Sequence, residues 1–308
     1  MEPRARHARR TFPWWAIALV ALPWSWFAAR DAGGIAGPIA IVLPVAGFAA
    51  LIVAGIAFGF RQWIAGAMAT SVFLVCLVAT VEPRLPLRTE APSPAITVVA
   101  DNVLATSRHP DKSAATMASR EADVMVAVEM SESFIEYMQS TGRYPYSANQ
   151  GAQGVWSRWP VASLPLPPGL PSDRIARFTI DAGGQSVVVY GVHLLNPLHE
   201  TTISEQQSMV RRLSDAIAAE TDPVILAGDL NMSDRAAGYR LLADQMHDAM
   251  RTGWWAASTY RHGVWRDLSL RIDHLFVPAD WCAVDAKTFG VPGSDHRGIE
   301  STVGPCPA

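Results

Sequence analysis

Residues 224–231 read VILAGDLN: four apolar residues, a glycine, and then Asp229 and Asn231 two positions apart. A short apolar run bounded by a turn residue is the pattern of a buried β-strand. Residues two apart on extended backbone point to the same side. Carboxylate and carboxamide can therefore address one ligand together at the strand's end, although Asp-x-Asn also occurs as a plain turn.

The same pattern recurs in both directions along the chain. Residues 124–130, VMVAVEM, are an apolar strand ending at Glu129, and residues 190–197, YGVHLLNP, run a strand into His193. A solvated strand-end glutamate and a structural histidine are the plain readings of these two. RIDHLFVP (271–278) sets Asp273 at the start of an otherwise apolar strand, where a buried carboxylate needs a partner. A histidine would supply one, and SDHRG (294–298) places Asp295 and His296 in tandem before the apolar run near Ile299. With Asn102, these residues all fall at or beside expected strand ends. Hard oxygen donors suit Mg²⁺ or Mn²⁺, and no Cys–His spacing points to zinc.

Strands are expected at Ile96–Ala100, Val124–Val128, Ile175–Ile180, Val187–Val192, Val224–Ala227 and Ile272–Val277. Helices are expected at Pro110–Arg120, Ser131–Ser140, Thr202–Ala219 and Ser233–Met246, the last with Ser233 or Asp234 as N-cap. The turn Asp181-Ala182-Gly183-Gly184 points to an antiparallel hairpin rather than a pure βαβ repeat. One α/β domain over residues 96–308, a two-sheet sandwich flanked by helices, fits this order.

The first 81 residues are of another kind. After a basic tail with Arg4, Arg6, Arg9 and Arg10 come three uncharged apolar stretches: Phe12 to Ala29, Ile35 to Phe60 and Trp63 to Val81. Each approaches or exceeds the roughly 20 residues that a spanning helix needs, with tryptophans near the ends. Three transmembrane helices are expected. The positive-inside rule puts the N-terminus in the cytoplasm and everything after Val81 outside. A cleaved signal peptide ending near Ala28 and Ala29 would leave that last assignment unchanged. EPRLPLRTEAPSPA (82–95) reads as a proline-rich linker that holds the domain slightly off the membrane.

Beyond Glu90 the chain carries 17 basic and 24 acidic residues, a formal charge of −7. Lys112 and Lys287 are its only lysines, which argues against a nucleic-acid partner. No protein partner is deducible. Cys282 and Cys306 lie in the outer part, where oxidising conditions allow a disulfide; two separate buried thiols is the alternative.

The segments ADNV, VMVAVEM, GVWSRWP, GVHLL, AGDLN, RIDHLFV and SDHRG occur, in that order, as in the endonuclease/exonuclease/phosphatase superfamily, which the chain resembles from about Ile96 to Val303. The resemblance implies a four-layer α-β-β-α sandwich with the site at one edge. It implies metal coordination by Glu129, supported by Asn102 and Asp295, and Asp229 as the base for the attacking water. By the same resemblance Asn231 holds the water or a phosphate oxygen. His296, oriented by Asp273, and His193 would bond the non-bridging oxygens. Two departures stand out: Val128 replaces a common glutamine before the metal glutamate, and Trp156 replaces a smaller aliphatic residue. With three apolar segments in front, the chain is similar to actinobacterial membrane proteins associated with teicoplanin resistance. That likeness implies a membrane bilayer as partner and a polyprenyl pyrophosphate or related envelope lipid phosphate as substrate. The alternatives are an extracytoplasmic nuclease, a phospholipase C-like phosphodiesterase, or a non-catalytic envelope-binding module. Trp254, Trp255 and Trp265 are candidates for contact with lipid, or else core residues.

Overall fold

The computed structural model describes residues 14–30, 36–85, 90–196, 200–253, 258–260 and 270–307. Trp254, Trp255 and Trp265, and the basic tail, lie outside these.

Three apolar helices come first: α1 (Trp14–Ala29), α2 (Ala36–Gly59) and α3 (Trp63–Val81). Two are long and apolar enough to cross a membrane, over Ile39–Gly59 and Trp63–Arg84. Three such helices were expected, but α1 has only 16 residues, fewer than the roughly 20 required. Only 28% of the 18-residue apolar window of each long helix is buried within the protein. Phe48, Ile56, Phe60, Trp63 and Ile64 are among the side chains left exposed. A helix buried in a soluble core does not show such a face.

The rest is a sandwich of two six-stranded sheets. The first contains β1 (Ile96–Asn102), β2 (Val124–Val128), β3 (Tyr146–Gln150), β4 (Gln153–Ser157), β11 (Trp281–Gly290) and β12 (Arg297–Pro305). Its order is β11-β12-β1-β2-β4-β3. The second contains β5 (Val161–Ser163), β6 (Ile175–Asp181), β7 (Ser186–His193), β8 (Val224–Asp229), β9 (Met246–Asp248) and β10 (Asp273–Pro278), in the order β5-β6-β7-β8-β10-β9. Val98, Ala100, Val126, Phe178, Val189, Ala227 and Leu275 belong to the core between the sheets. The outer faces are covered by α4 (Pro110–Ala118) and α5 (Glu132–Ser140) on one side, and by α6 (Glu200–Ala218) and α7 (Ala237–Ala243) on the other. Four layers result. The central strands are buried on both faces, alternate residues facing the inner core and the helices, which turn their apolar sides to the sheets.

Two parallel pairs fix where the site lies. β1 runs parallel to β2, and β7 parallel to β8. Their antiparallel neighbours β12 and β10 start where those strands end. One edge of the sandwich therefore collects four C-terminal strand ends and two N-terminal ones.

Local expectations differ from the structure in several places. The helix expected over Ser233–Met246 is shortened to α7, with no side-chain cap at Ala236. Ser233 and Asp234 are buried instead, and Asp234 pairs with arginines, so a charged tertiary contact outcompetes the cap. Met246 opens β9. The linker does not stand clear of the domain: Glu82–Arg84 forms a 3₁₀ turn, and Arg84 Nε bonds Asp234 Oδ2 at 3.0 Å. Further on, Ser93 donates its N–H to Pro305 O. The hairpin at 181–184 joins β6 to β7 as expected. Cys282 and Cys306 form a disulfide, tying the start of β11 to the end of β12.

Candidate active site

Asp229 is the centre of the edge. In register it lies beside His193 on β7 and beside Asp273 on β10. Gly228 precedes it at φ 132°, and a Cβ there would overlap the Val192 carbonyl, so the strand can pass this close only with glycine. Asp229 is buried, and its Oδ1 accepts the Asn231 N–H at 2.8 Å. Its Oδ2 accepts from Asn102 Nδ2 and Asn231 Nδ2, both at 3.2 Å.

Asn102, at the end of β1, also donates to Glu129 Oε1 at 2.8 Å. One carboxamide thus tethers carboxylates from two sheets, while its own Oδ1 accepts the Leu104 N–H. Glu129 and Asn231 both have positive φ, 53° and 48°. Non-glycine residues hold that conformation only when their surroundings enforce it, and such residues cluster at functional sites.

His193 Nε2 lies 3.0 Å from Glu129 Oε1 and 3.9 Å from Asp229 Oδ2. Burial lowers its pKa, with Arg174 and His296 acting the same way against the pull of Glu129. It therefore serves as a neutral imidazole near pH 7. His296 is the opposite case. Burial disfavours its cation, yet the carboxylates of Asp273, Asp229 and Asp295 outweigh burial and push it up to about 11. Its Nδ1 is 2.8 Å from Asp273 Oδ2, which leaves Nε2–H, 3.7 Å from Asp229 Oδ2, to serve another acceptor. Asp229 itself is pushed up to about 7, chiefly by burial, against His296 and with Asp273 adding to the rise.

The sequence-derived set is thus largely brought together. Asp295, half-buried, comes to 4.0 Å of His296 Nε2. Among the described residues the groups close enough to share an ion are Glu129–His193–Asp229 and Asp229–Asp273–His296, and Asp295 is in neither. The Ser157–Arg158 pair of GVWSRWP lies at the far end of β2, opposite Val124, with Arg158 on Asp123. Trp156 packs edge-on against Phe134 in the outer core and is structural.

Three contributors were not read from the sequence. Thr259 Oγ1 accepts the N–H groups of Ile272 and Asp273, fixing the carboxylate that orients His296. Ser294 Oγ donates to Asn102 O and accepts from the His296 N–H, tying the loop between β11 and β12 to the end of β1; its place inside SDHRG was the available clue. Asp101 is buried with neither carboxylate oxygen partnered. Burial first, then Asp273, Asp295 and Asp229, against His296, pushes its pKa well up.

A divalent cation fits this chemistry. Ligand atoms of Glu129, His193 and Asp229 lie within 4.8 Å of one another. Burial, the main cause of the raised Asp229 pKa, disfavours its anion, which a bound cation would offset. Oxygen-rich donor sets of this kind suit hard divalent ions.

The His296–Asp273 pair makes a testable element. Because His296 titrates higher folded than unfolded, its contribution to stability is complete below about 6.5 and is lost as pH rises through about 11. Asp273→Asn should bring the His296 titration, followed by NMR, several units down and cost about 10- to 100-fold in activity. A His296 titration that does not move would mean that Asp273 is not its orienting partner.

Two buried carboxylates, two histidines and a bridging amide converge on one sandwich edge, a donor set that could hold a divalent ion. The chain matches the endonuclease/exonuclease/phosphatase family over residues 59–296 and belongs to it. A search of curated proteins found no match. Solved structures share the fold. The endonuclease/exonuclease/phosphatase protein of Beutenbergia cavernae has TM-score 0.55 and 21% identity, covering 70% of this chain and 72% of that one. A humanised D. rerio TDP2 has TM-score 0.54 and 19% identity, with coverages of 68% and 98%. The family protein of Bacteroides vulgatus has TM-score 0.53 and 13% identity, with coverages of 68% and 99%.

Proposed function

We propose that the chain is a membrane-anchored, divalent-metal-dependent phosphohydrolase acting on a phosphate or pyrophosphate ester of an envelope lipid, a polyprenyl pyrophosphate or a close relative. The observation that carries this reading is the joining of the site-bearing sandwich directly to helices whose apolar faces are exposed. The family supports the chemistry, and the charge of −7 beyond Glu90 disfavours a nucleic-acid polyanion. The Cys282–Cys306 bridge supports an oxidising, extracytoplasmic side for the domain. In this reading all three apolar helices lie in the membrane and the N-terminus is cytoplasmic. Likeness to the teicoplanin-resistance membrane proteins supports the lipid class.

A cation held by Glu129, supported by Asn102 and Asp295, would polarise a phosphoryl oxygen and neutralise its charge. Asp229 takes a proton from the water whose oxygen attacks phosphorus, and Asn231 and Asn102 hold that carboxylate in place. The bond to the leaving phosphate or alkoxide oxygen breaks and its electron pair leaves with that oxygen. His296, cationic at neutral pH, donates from Nε2 to a non-bridging oxygen as charge builds. His193 contributes a second donor from the neighbouring strand end.

The discriminating experiment compares kcat/KM of the full-length protein for undecaprenyl pyrophosphate, phosphatidylcholine and single-stranded DNA at one Mg²⁺ concentration. A D. rerio TDP2 structure holds a single-strand DNA product, so DNA is the apt competitor. The expected preference is for the pyrophosphate lipid by at least about 10²-fold. A preference for DNA would replace this reading with a nuclease.

A further inference from the structure

Pro44 lies inside α2 and has no N–H to give. The carbonyl that this N–H would satisfy, four residues back, belongs to Ala40, which is wholly buried. A buried carbonyl without a donor is costly, most of all in an apolar helix. Arg235 supplies the donor: its Nε bonds Ala40 O at 2.9 Å, reaching across from the loop after β8. The guanidinium is itself buried and held by Asp234 Oδ1 at 3.0 Å.

Arg235 is a fully buried member of a collar of arginines. Arg240 donates to the Arg30 carbonyl past the end of α1, and its Nη1 donates to Arg235 O at 2.6 Å. Arg251 donates to Leu85 O and Glu82 O, at 3.0 and 3.1 Å, past the end of α3. Helix C-termini leave carbonyls unpaired and carry partial negative charge, so arginines are their natural partners. Arg84, at the end of α3, answers from the helix side on Asp234. Arg271 lies between Asp234 and Asp248, 2.9 Å from Asp248 Oδ2.

Two segments of this collar also carry the active site. Asp229 and Asn231 run directly into Asp234 and Arg235, and Arg271 is two residues from Asp273. His274 Nε2, 3.1 Å from Met232 O, ties the two segments together. We infer that Arg235 is a positioning residue: seated on the carbonyl that Pro44 leaves open, it clamps the loop following Asp229 to the ends of the apolar helices, and so sets where the site stands over the bilayer. This rests on the membrane reading above.

Pro44→Ala is the sharpest test, because it gives α2 its own N–H for Ala40 and touches nothing in the site. In full-length protein in phosphatidylglycerol vesicles, Pro44→Ala and Arg235→Met should each raise KM for undecaprenyl pyrophosphate about tenfold. The kcat on the soluble diester bis(p-nitrophenyl) phosphate should stay unchanged. Arg235→Lys should recover most of the loss, and the double variant should be no worse than either single one. Amide hydrogen exchange over 229–236 and 271–274, which needs no substrate, should quicken in Pro44→Ala. Unchanged exchange and KM, additive losses, or an equal fall of kcat on both substrates would overturn the clamp. A wild type inactive on the lipid, with exchange still quickened by Pro44→Ala, would overturn the lipid reading and retain the clamp.

Discussion

Asp229→Asn is expected to lower kcat by about 10³-fold on any substrate of this site, because the buried carboxylate held by both asparagines is lost as a base. The geometry should survive. Asparagine can keep the Oδ1 contact to the Asn231 N–H, and it removes a charge that burial opposes. The pH dependence gives an independent sign. A carboxyl raised from 3.8 to about 7 costs the fold nothing below 3.8, and stability falls as pH rises through about 7. The variant should therefore melt no lower than wild type at pH 8. Wild-type activity should rise with pH through a midpoint no higher than about 7, since a bound cation lowers the carboxyl further. Measured kcat against pH and melting of both proteins check this. Near-normal activity in Asp229→Asn would remove it from the base role.

The second large effect is expected at Glu129. It lies at the mouth of β2 with positive φ, partly exposed, and touches both Asn102 and His193. Glu129→Gln keeps the size and the contact with Asn102 but removes an anionic ligand. Affinity for Mn²⁺, measured by isothermal titration, should fall by about 10²-fold, and activity at limiting Mg²⁺ should fall with it. Raising Mg²⁺ should recover part of the activity, which no recovery by pH should imitate. Unchanged Mn²⁺ affinity would place the cation elsewhere.

Much of the site was legible because it repeats one device: an apolar strand that stops at a polar residue. Asn102, His193 and Asp229 end their strands, Glu129 follows one and Asp273 begins one, so local pattern put them at strand ends, and the family resemblance implied the shared edge. The requirement that a buried aspartate find a partner anticipated Asp273 on His296. Less legible were elements whose order comes from neighbours rather than from their own sequence. β3, Tyr146–Gln150, is mostly exposed and polar, and exists by pairing with β4. β11 is broken by a register shift between Val284 and Lys287, with Asp285 at positive φ, which erases its alternation.

The arginine collar was the most deeply hidden. Ser233 and Asp234 carry every local mark of a helix cap, but Asp234 pairs instead with Arg84, 150 residues upstream, and with the adjacent Arg235. Arg235 meets an acceptor 195 positions away. That acceptor is available because of a proline, which read locally only as a tolerated break in a membrane helix. Local pattern reports propensity and burial; it does not report which distant carbonyl lacks a donor.

Phosphate release from undecaprenyl pyrophosphate by the full-length protein in detergent, with Mg²⁺, with EDTA, and with Glu129→Ala, bears most directly on the proposed activity. Release that needs Mg²⁺ and disappears in Glu129→Ala is the expected result. No release from the lipid under Mg²⁺, or release that persists in EDTA or in Glu129→Ala, would contradict it.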